Sequence, residues 1–233
     1  MIYRPIIALA ASIMLLAATT APQRGYWHTT IVATADGGHV TGNPQAKVKL
    51  IEYISYTCPH CARLYAQSDV PITLKWVAPG QLAVEVQPFL RNNVDVTLSL
   101  LTNCGTGAKW SALHRAFLNG QEGWMKALNR ASAGQQERWN KGDFSSRQRA
   151  IANDAHLYDI MERYGFARPT VDRCLANKPL AERMAKATEA AVAKGVEGTP
   201  ALFINGELLK EVYDWHTLEP QLKLRIEGDK PNT

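Results

Sequence analysis

Two cysteines spaced two residues apart, Cys58 and Cys61, constrain this chain more than any other feature. They follow the apolar run 47–56, which predicts a β-strand, and they precede a segment from residue 62 that predicts a helix. The pair should therefore lie at the first turn of a helix, where unpaired N–H groups and the helix dipole favour a thiolate over a thiol. This context is typical of a redox motif. A structural disulfide and half of a zinc site are the alternatives.

Residues 1–21 are predicted to be a secretory signal peptide. Arg4 precedes an apolar run over 5–18, and small residues follow that run. The run is shorter than the about 20 residues that span a bilayer. Because Pro22 follows the most obvious cleavage site, Ala21, an uncleaved anchor is the alternative. Export implies an oxidising compartment, in which disulfides form and persist.

The composition is that of a globular protein, with 46% hydrophobic and 20% charged residues. A formal charge of +5 is spread along the chain without a basic run, so nucleic-acid binding is not predicted. The histidines show no metal-ligand spacing, and no second C-x-x-C pair is present. We therefore expect neither a metal nor another cofactor.

The order of elements predicts one α/β domain that is split by a helical insertion. β-type segments precede residue 94, a helical pattern covers about 94–194, and β-type segments and a last helix follow. The flanking β segments are too few to form separate small domains. We predict the first part of the α/β domain at 22–93, an inserted all-helical domain at 94–194 and the second part at 195–233. The predicted strands are 29–33, 47–56, 82–89, 201–204 and 207–209, and one long helix is predicted at 145–164.

The positions of the two cysteines predict different roles for them. Cys58 lies nearer the end of the helix and should be the more exposed nucleophile, whereas Cys61, one turn further, should be buried. His60 adds a positive charge when it is protonated, which stabilises a Cys58 thiolate; the alternative is an ordinary exposed loop residue. Pro59 suits the first turn of a helix, where its missing N–H costs little.

Two further sites have more than one interpretation. Glu52 interrupts the apolar strand six residues before Cys58. It is either a buried carboxylate that relays protons to and from Cys61, with a pKa raised by burial, or a residue that points to solvent. Pro200 precedes the strand 201–204, where it could lie in a turn or at a sheet edge, or follow a cis peptide bond.

Residues 50–61 and 195–206 strongly resemble the DsbA-like thiol–disulfide oxidoreductases of the thioredoxin superfamily. The segments carry the active-site motif and the proline motif, and a helical block separates them, as in that family. The resemblance implies a thioredoxin-like fold, with a central mixed sheet flanked by helices and an inserted all-helical domain. It also implies a periplasmic enzyme that introduces disulfides into reduced exported polypeptides and is reoxidised by a DsbB-like membrane quinone reductase. We expect a monomer.

The resemblance assigns roles to single residues. Cys58 would form the mixed disulfide, Cys61 would resolve it, and Glu52 would be the buried proton-relaying carboxylate. Pro200 would be the cis-proline that faces the active site, with the backbone of Thr199 pairing with an extended substrate. Thr199 departs from the valine of the best-known oxidases, since threonine occurs here in disulfide isomerases. An isomerase or reductase, and a non-catalytic thioredoxin-like binding module, are therefore the alternatives.

The other two cysteines, Cys104 and Cys174, both fall in the helical block. We predict a structural disulfide between them, because the chain carries an export signal and offers no other partner. Some DsbA-like relatives have a second bridge in their helical domain, which supports this pairing. Two buried free thiols are the alternative.

Overall fold

The computed structural model describes residues 26–228, which form a six-stranded mixed sheet surrounded by helices. The predicted signal peptide, 1–21, lies outside the described residues. The strands follow the order β1-β2-β4-β3-β5-β6; β3 and β4 are parallel, and every other neighbouring pair is antiparallel. The strands are β1 (Ile31–Ala33), β2 (His39–Gly42), β3 (Val48–Ile54), β4 (Leu82–Pro88), β5 (Ala201–Ile204) and β6 (Glu207–Leu208).

Eight helices lie between β4 and β5 and form the helical insertion, while α1 joins β3 to β4 and α10 follows β6. This arrangement confirms the predicted fold class. A π-helical segment, Thr73–Val77, continues α1 beyond Pro71, which lacks the N–H that a regular helix needs. The helices are α1 (Pro59–Ile72), α2 (Asn93–Thr102), α3 (Ala108–Asn119), α4 (Gln121–Asn129), α5 (Ala133–Arg138), α6 (Phe144–Asp154), α7 (Leu157–Arg163), α8 (Arg168–Leu175), α9 (Lys178–Ala193) and α10 (Trp215–Glu227).

Two sequence-based expectations about elements were wrong. Strand β2 was not predicted, because its four residues show no clear alternation; it is held by pairing with β1 on one side and β4 on the other. The single helix predicted at 145–164 is two helices, α6 and α7. The chain turns between them at His156, whose left-handed φ of 56° is incompatible with a continuous helix.

The apolar core lies on both faces of the sheet and extends into the insertion. Leu50 and Leu202 pack with Leu64 of α1 and Leu218 of α10 on one face. A second cluster joins the cysteines 58 and 61, and the end of β3, to side chains of α2, α3, α4, α6, α7 and α8. The C-x-x-C segment therefore lies between the sheet and the insertion. No helix within 26–228 is both long and apolar enough to cross a membrane.

Candidate active site

The C-x-x-C segment lies at the junction of β3 and α1. Strand β3 ends at Ile54, and the active-site loop, residues 55–58, leads into the helix. Cys58 is the N-cap residue, with an extended φ of −91° and ψ of 116°, and Pro59 is the first helical residue. The fixed φ of proline favours this start, and Cys58 lies at the positive end of the helix dipole.

Both cysteines of the motif are reduced, and both are only 2% exposed. The expectation that Cys58 would be the more exposed of the two was therefore wrong. Cys58 Sγ lies 3.1 Å from the backbone oxygen of Thr199, to which the protonated thiol donates a hydrogen bond, so the segment before Pro200 covers the sulfur. Any group that reacts with Cys58 must displace this contact.

The two thiols differ strongly in acidity. The pKa of Cys58 is lowered to about 5, chiefly by a hydrogen bond from the Cys61 thiol, with further stabilisation from the Thr199 side chain and the N–H groups of Cys61 and His60. Burial opposes this shift. Burial and the neighbouring Cys58 sulfur raise the pKa of Cys61 well above its usual value. One sulfur is thus a thiolate at neutral pH and the other a protonated thiol.

The loop before β5 faces the cysteines, and its Thr199–Pro200 peptide bond is cis. Antiparallel pairing of β5 with β3, in which Ala201 lies opposite Tyr53, brings this loop to the end of β3. The Thr199 hydroxyl is buried and has no hydrogen-bond partner within residues 26–228, so it is free to donate to a Cys58 thiolate, whose pKa it lowers. Thr199 and Pro200, which lie about 140 residues after the C-x-x-C segment in the sequence, thus meet it in the fold. The side chain of His60 is exposed at the start of the helix.

Glu52 is buried on the face of the sheet that α1 covers, together with Leu50. Burial, and then the carboxylate of Asp69, raise the pKa of Glu52 to about 7. Its side chain makes no hydrogen bond to another described residue; instead it lines a cavity of about 350 Å³ that extends to exposed Arg115. A space of this size holds water, so we infer that water solvates the Glu52 carboxyl group and connects it with the surface.

Glu52→Gln should make the protein more stable above neutral pH. The folded-state pKa of about 7 exceeds the ordinary value of 4.5, so the unfolded chain ionises first and stability falls as pH rises between these values. Removing the ionisable group should raise the free energy of unfolding by up to about 3 kcal/mol at pH 8. Urea unfolding at pH 5 and pH 8 measures this change, with exposed Glu122→Gln as the control. If the stability of Glu52→Gln depended on pH as that of the wild-type protein does, the raised pKa would not belong to Glu52.

Cys104 and Cys174 form a disulfide inside the helical insertion, with their Cα atoms 5.6 Å apart. The bridge joins the turn after α2 to the last turn of α8 and closes a sequence separation of 70 residues. It lies apart from the reduced pair at the active-site loop. Among residues 26–228, the four cysteines are thus one disulfide and one dithiol.

Sequence reasoning missed three buried polar residues that hold the active-site loop. Asp95, at the start of α2, accepts hydrogen bonds from both the backbone N–H and the hydroxyl of Thr57. Gln121, at the start of α4, donates to carbonyl groups of the loop. His114 bonds the hydroxyl of Tyr56 at 2.9 Å, and burial lowers the pKa of this histidine to about 3. Asp95 follows a recognisable helix start, but nothing in the sequence distinguishes Gln121.

Comparison with known families gives one model match, to thioredoxin over residues 34–223. Two relatives are provisionally named protein-disulfide oxidoreductases. The relative from Rickettsia conorii is 29% identical, and the match covers 73% of this chain and 54% of the relative. The relative from Rickettsia bellii is 25% identical, and the match covers 82% of this chain and 65% of the relative. The chain thus spans less than two thirds of the length of these relatives.

Two solved structures show how widely the fold is shared. A structure titled protein-disulfide isomerase, from Novosphingobium aromaticivorans, is 42% identical, with a TM-score of 0.80 over 83% of this chain and 99% of that one. Alpha-DsbA1 from Wolbachia pipientis is 19% identical, with a TM-score of 0.58 over 84% of this chain and 94% of that one. The second likeness concerns the fold alone.

Proposed function

The chain belongs to the thioredoxin family, and on that premise we propose that it is an exported thiol:disulfide oxidoreductase that introduces disulfides into folding proteins. The observation that carries the proposal is the unequal pair of thiols at a helix start. The pKa of Cys58 is lowered to about 5, and that of Cys61 is raised well above its usual value. A stabilised Cys58 thiolate favours the reduced enzyme, so its disulfide tends to pass to a substrate.

The reaction begins with the oxidised enzyme, in which Cys58 and Cys61 share a disulfide. A substrate thiolate attacks Cys58 Sγ, the Cys58–Cys61 bond breaks, and Cys61 leaves with the electron pair and takes up a proton. A second substrate thiolate then attacks the substrate sulfur of the mixed disulfide and releases Cys58 as a thiolate. The substrate has lost two electrons and gained a disulfide, and the enzyme has gained the two electrons.

Glu52 is proposed to exchange the proton of Cys61. A pKa of about 7 lets this carboxyl group give or take a proton near neutral pH. The cavity beside it, which is lined also by Tyr65, Asp69 and His114, supplies water that restores its protonation state. The side chain of Glu52 therefore serves both directions of the exchange.

The backbone of Thr199, next to cis-Pro200, is proposed to bind the substrate as an extended segment. Its carbonyl oxygen lies 3.1 Å from Cys58 Sγ, so it lies where the reacting sulfur of a substrate would arrive. Pro59 fixes the helix start, and His60, exposed beside it, adds positive charge near Cys58 when it is protonated. Substrates would then be selected by an accessible cysteine in an unfolded stretch.

The cellular setting is proposed from the sequence. The signal peptide at 1–21 would direct the chain to the periplasm as a monomer, and a DsbB-like membrane quinone reductase would reoxidise it. The α/β domain would comprise 22–93 and 195–233, and the inserted helical domain 94–194.

Disulfide isomerase activity is the second candidate. Thr199 precedes the cis-proline, as in isomerases, and the similar structure from Novosphingobium aromaticivorans bears that title. An isomerase needs a reduced active site that attacks wrong disulfides, whereas an oxidase needs a disulfide to donate.

Two refolding assays separate these candidates. The oxidised protein should restore activity to reduced ribonuclease, and the reduced protein should rescue scrambled ribonuclease more slowly. Faster rescue of the scrambled form would favour the isomerase. No effect in either assay would favour a non-catalytic binding module.

A further inference from the structure

Gln121 connects the helical insertion directly to the backbone around Cys58. Its side-chain Nε2 donates to the carbonyl oxygen of Tyr56 at 2.6 Å and to that of Cys58 at 2.9 Å. The side chain is only 8% exposed, so water does not compete freely for these bonds. No other described donor bonds the Tyr56 carbonyl oxygen. The Cys58 carbonyl oxygen also accepts from the backbone N–H of Ala62 at 3.3 Å. The Gln121 amide is thus the one described donor to the Tyr56 carbonyl and the shorter of two donors to the Cys58 carbonyl.

Other polar groups of the active-site loop are held from α2 and within the loop itself. Asp95, 1% exposed, accepts from the backbone N–H of Thr57 at 2.9 Å and from the hydroxyl of Ser55 at 2.9 Å. The N–H of Cys58 bonds back to the Ser55 carbonyl at 3.1 Å. The loop thus has an anchor in α2 on one side and an anchor in α4 on the other.

The orientation of the loop sets the place of Cys58 at the N-terminal end of α1. We propose that Gln121 is a positioning residue for Cys58: by holding the Tyr56 and Cys58 carbonyl groups, it keeps Cys58 at the N-cap of α1, where the positive end of the helix dipole stabilises a thiolate. The helical insertion thereby contributes to thiolate stabilisation without touching the sulfur. The inference rests on the proposed function, in which the Cys58 thiolate is the reactive group.

Gln121→Met tests the proposal, since methionine keeps the length of the side chain and removes the donor. The pH titration of thiolate absorbance at 240 nm should shift its Cys58 midpoint upward by about one pH unit, a tenfold change in the ionisation equilibrium. The reduction potential against glutathione should fall with it. If Gln121→Met does not fold, Gln121→Asn keeps the amide but is too short to reach both carbonyl groups.

Gln148→Met is the matched control for stability. Gln148 of α6 is 1% exposed and accepts a hydrogen bond from Thr97 at 2.6 Å, and neither residue bonds the active-site loop. The control should lower the melting temperature without moving the Cys58 midpoint. A wild-type midpoint and potential in Gln121→Met, with a melting temperature lowered as in the control, would overturn the proposal. A wild-type chain with no thiolate transition below pH 7 contradicts the proposed function itself, and the role of Gln121 falls with it.

Discussion

Cys58→Ser should abolish disulfide transfer, with a loss of about 1,000-fold or more in the oxidation rate of a reduced peptide. The serine hydroxyl cannot form the disulfide that the substrate attacks, and Cys58 is the sulfur that the helix N–H groups and the Cys61 thiol stabilise. Its replacement therefore removes the reactive group and not merely its environment. A fluorescent dithiol peptide measures the rate under conditions in which the wild-type protein turns over.

Cys61→Ser should also abolish disulfide transfer, because it cannot form the Cys58–Cys61 disulfide, but unlike Cys58→Ser it should trap a substrate. In the reverse direction, reduced Cys58, to which the serine hydroxyl can still donate a hydrogen bond, attacks a substrate disulfide and stays bound to it, because the resolving thiol is missing. Mass spectrometry of the non-reduced protein should show this covalent adduct in Cys61→Ser and not in Cys58→Ser. Cys104→Ser/Cys174→Ser, which leaves the active-site dithiol intact, is the control. Wild-type transfer by Cys58→Ser, or an adduct on Cys61, would contradict the roles given to the two sulfurs.

Replacing both Cys104 and Cys174 by alanine should be the most destabilising change in the helical insertion. The bridge joins the end of α2 to α8 across 70 residues of sequence, and closing a loop of this size contributes about 4 kcal/mol in the chain-entropy model. Both residues are changed together so that no free thiol remains to form mixed disulfides.

Urea unfolding at neutral pH measures this loss against the wild-type protein. The double alanine variant should unfold at a much lower urea concentration than the wild-type protein. In dithiothreitol, which reduces both disulfides, the two proteins should unfold at about the same urea concentration. A difference in unfolding free energy below about 1 kcal/mol would contradict a structural role for the bridge. The active-site dithiol remains in both proteins, so its titration reports whether the insertion still holds the loop.

Much of the fold followed from local signals in the sequence. The run 47–56, Pro59 and the helical block each carry a pattern that predicts one structure. Strand β3, the start of α1 and the insertion lie where these patterns predict them. Strand β2 was missed because its four residues are held by neighbouring strands and not by a pattern of their own. Long-range pairing of this kind leaves no local trace.

The sequence predicts those parts of the candidate site that need a special residue type, such as the two cysteines. It does not predict which ordinary residues the fold brings to them. The side on which Glu52 lies stayed open in the sequence and was decided by the packing of α1 against the sheet. Cys58 is more deeply buried than its place at a helix start suggests, because the Thr199 carbonyl covers it. No sequence pattern marks Gln121, and only the fold brings it to the Cys58 carbonyl.

The central claim is that the Cys58–Cys61 pair is an oxidising disulfide, and its equilibrium reduction potential tests that claim most directly. The protein is equilibrated with glutathione buffers at pH 7, and the fraction of reduced Cys58–Cys61 is read by thiol alkylation and mass. Because the Cys58 thiolate is stabilised, we predict a potential well above that of thioredoxin, about −270 mV, and at or above that of protein disulfide isomerase, about −180 mV. A potential at or below about −270 mV would contradict the claim and make the pair a reductant.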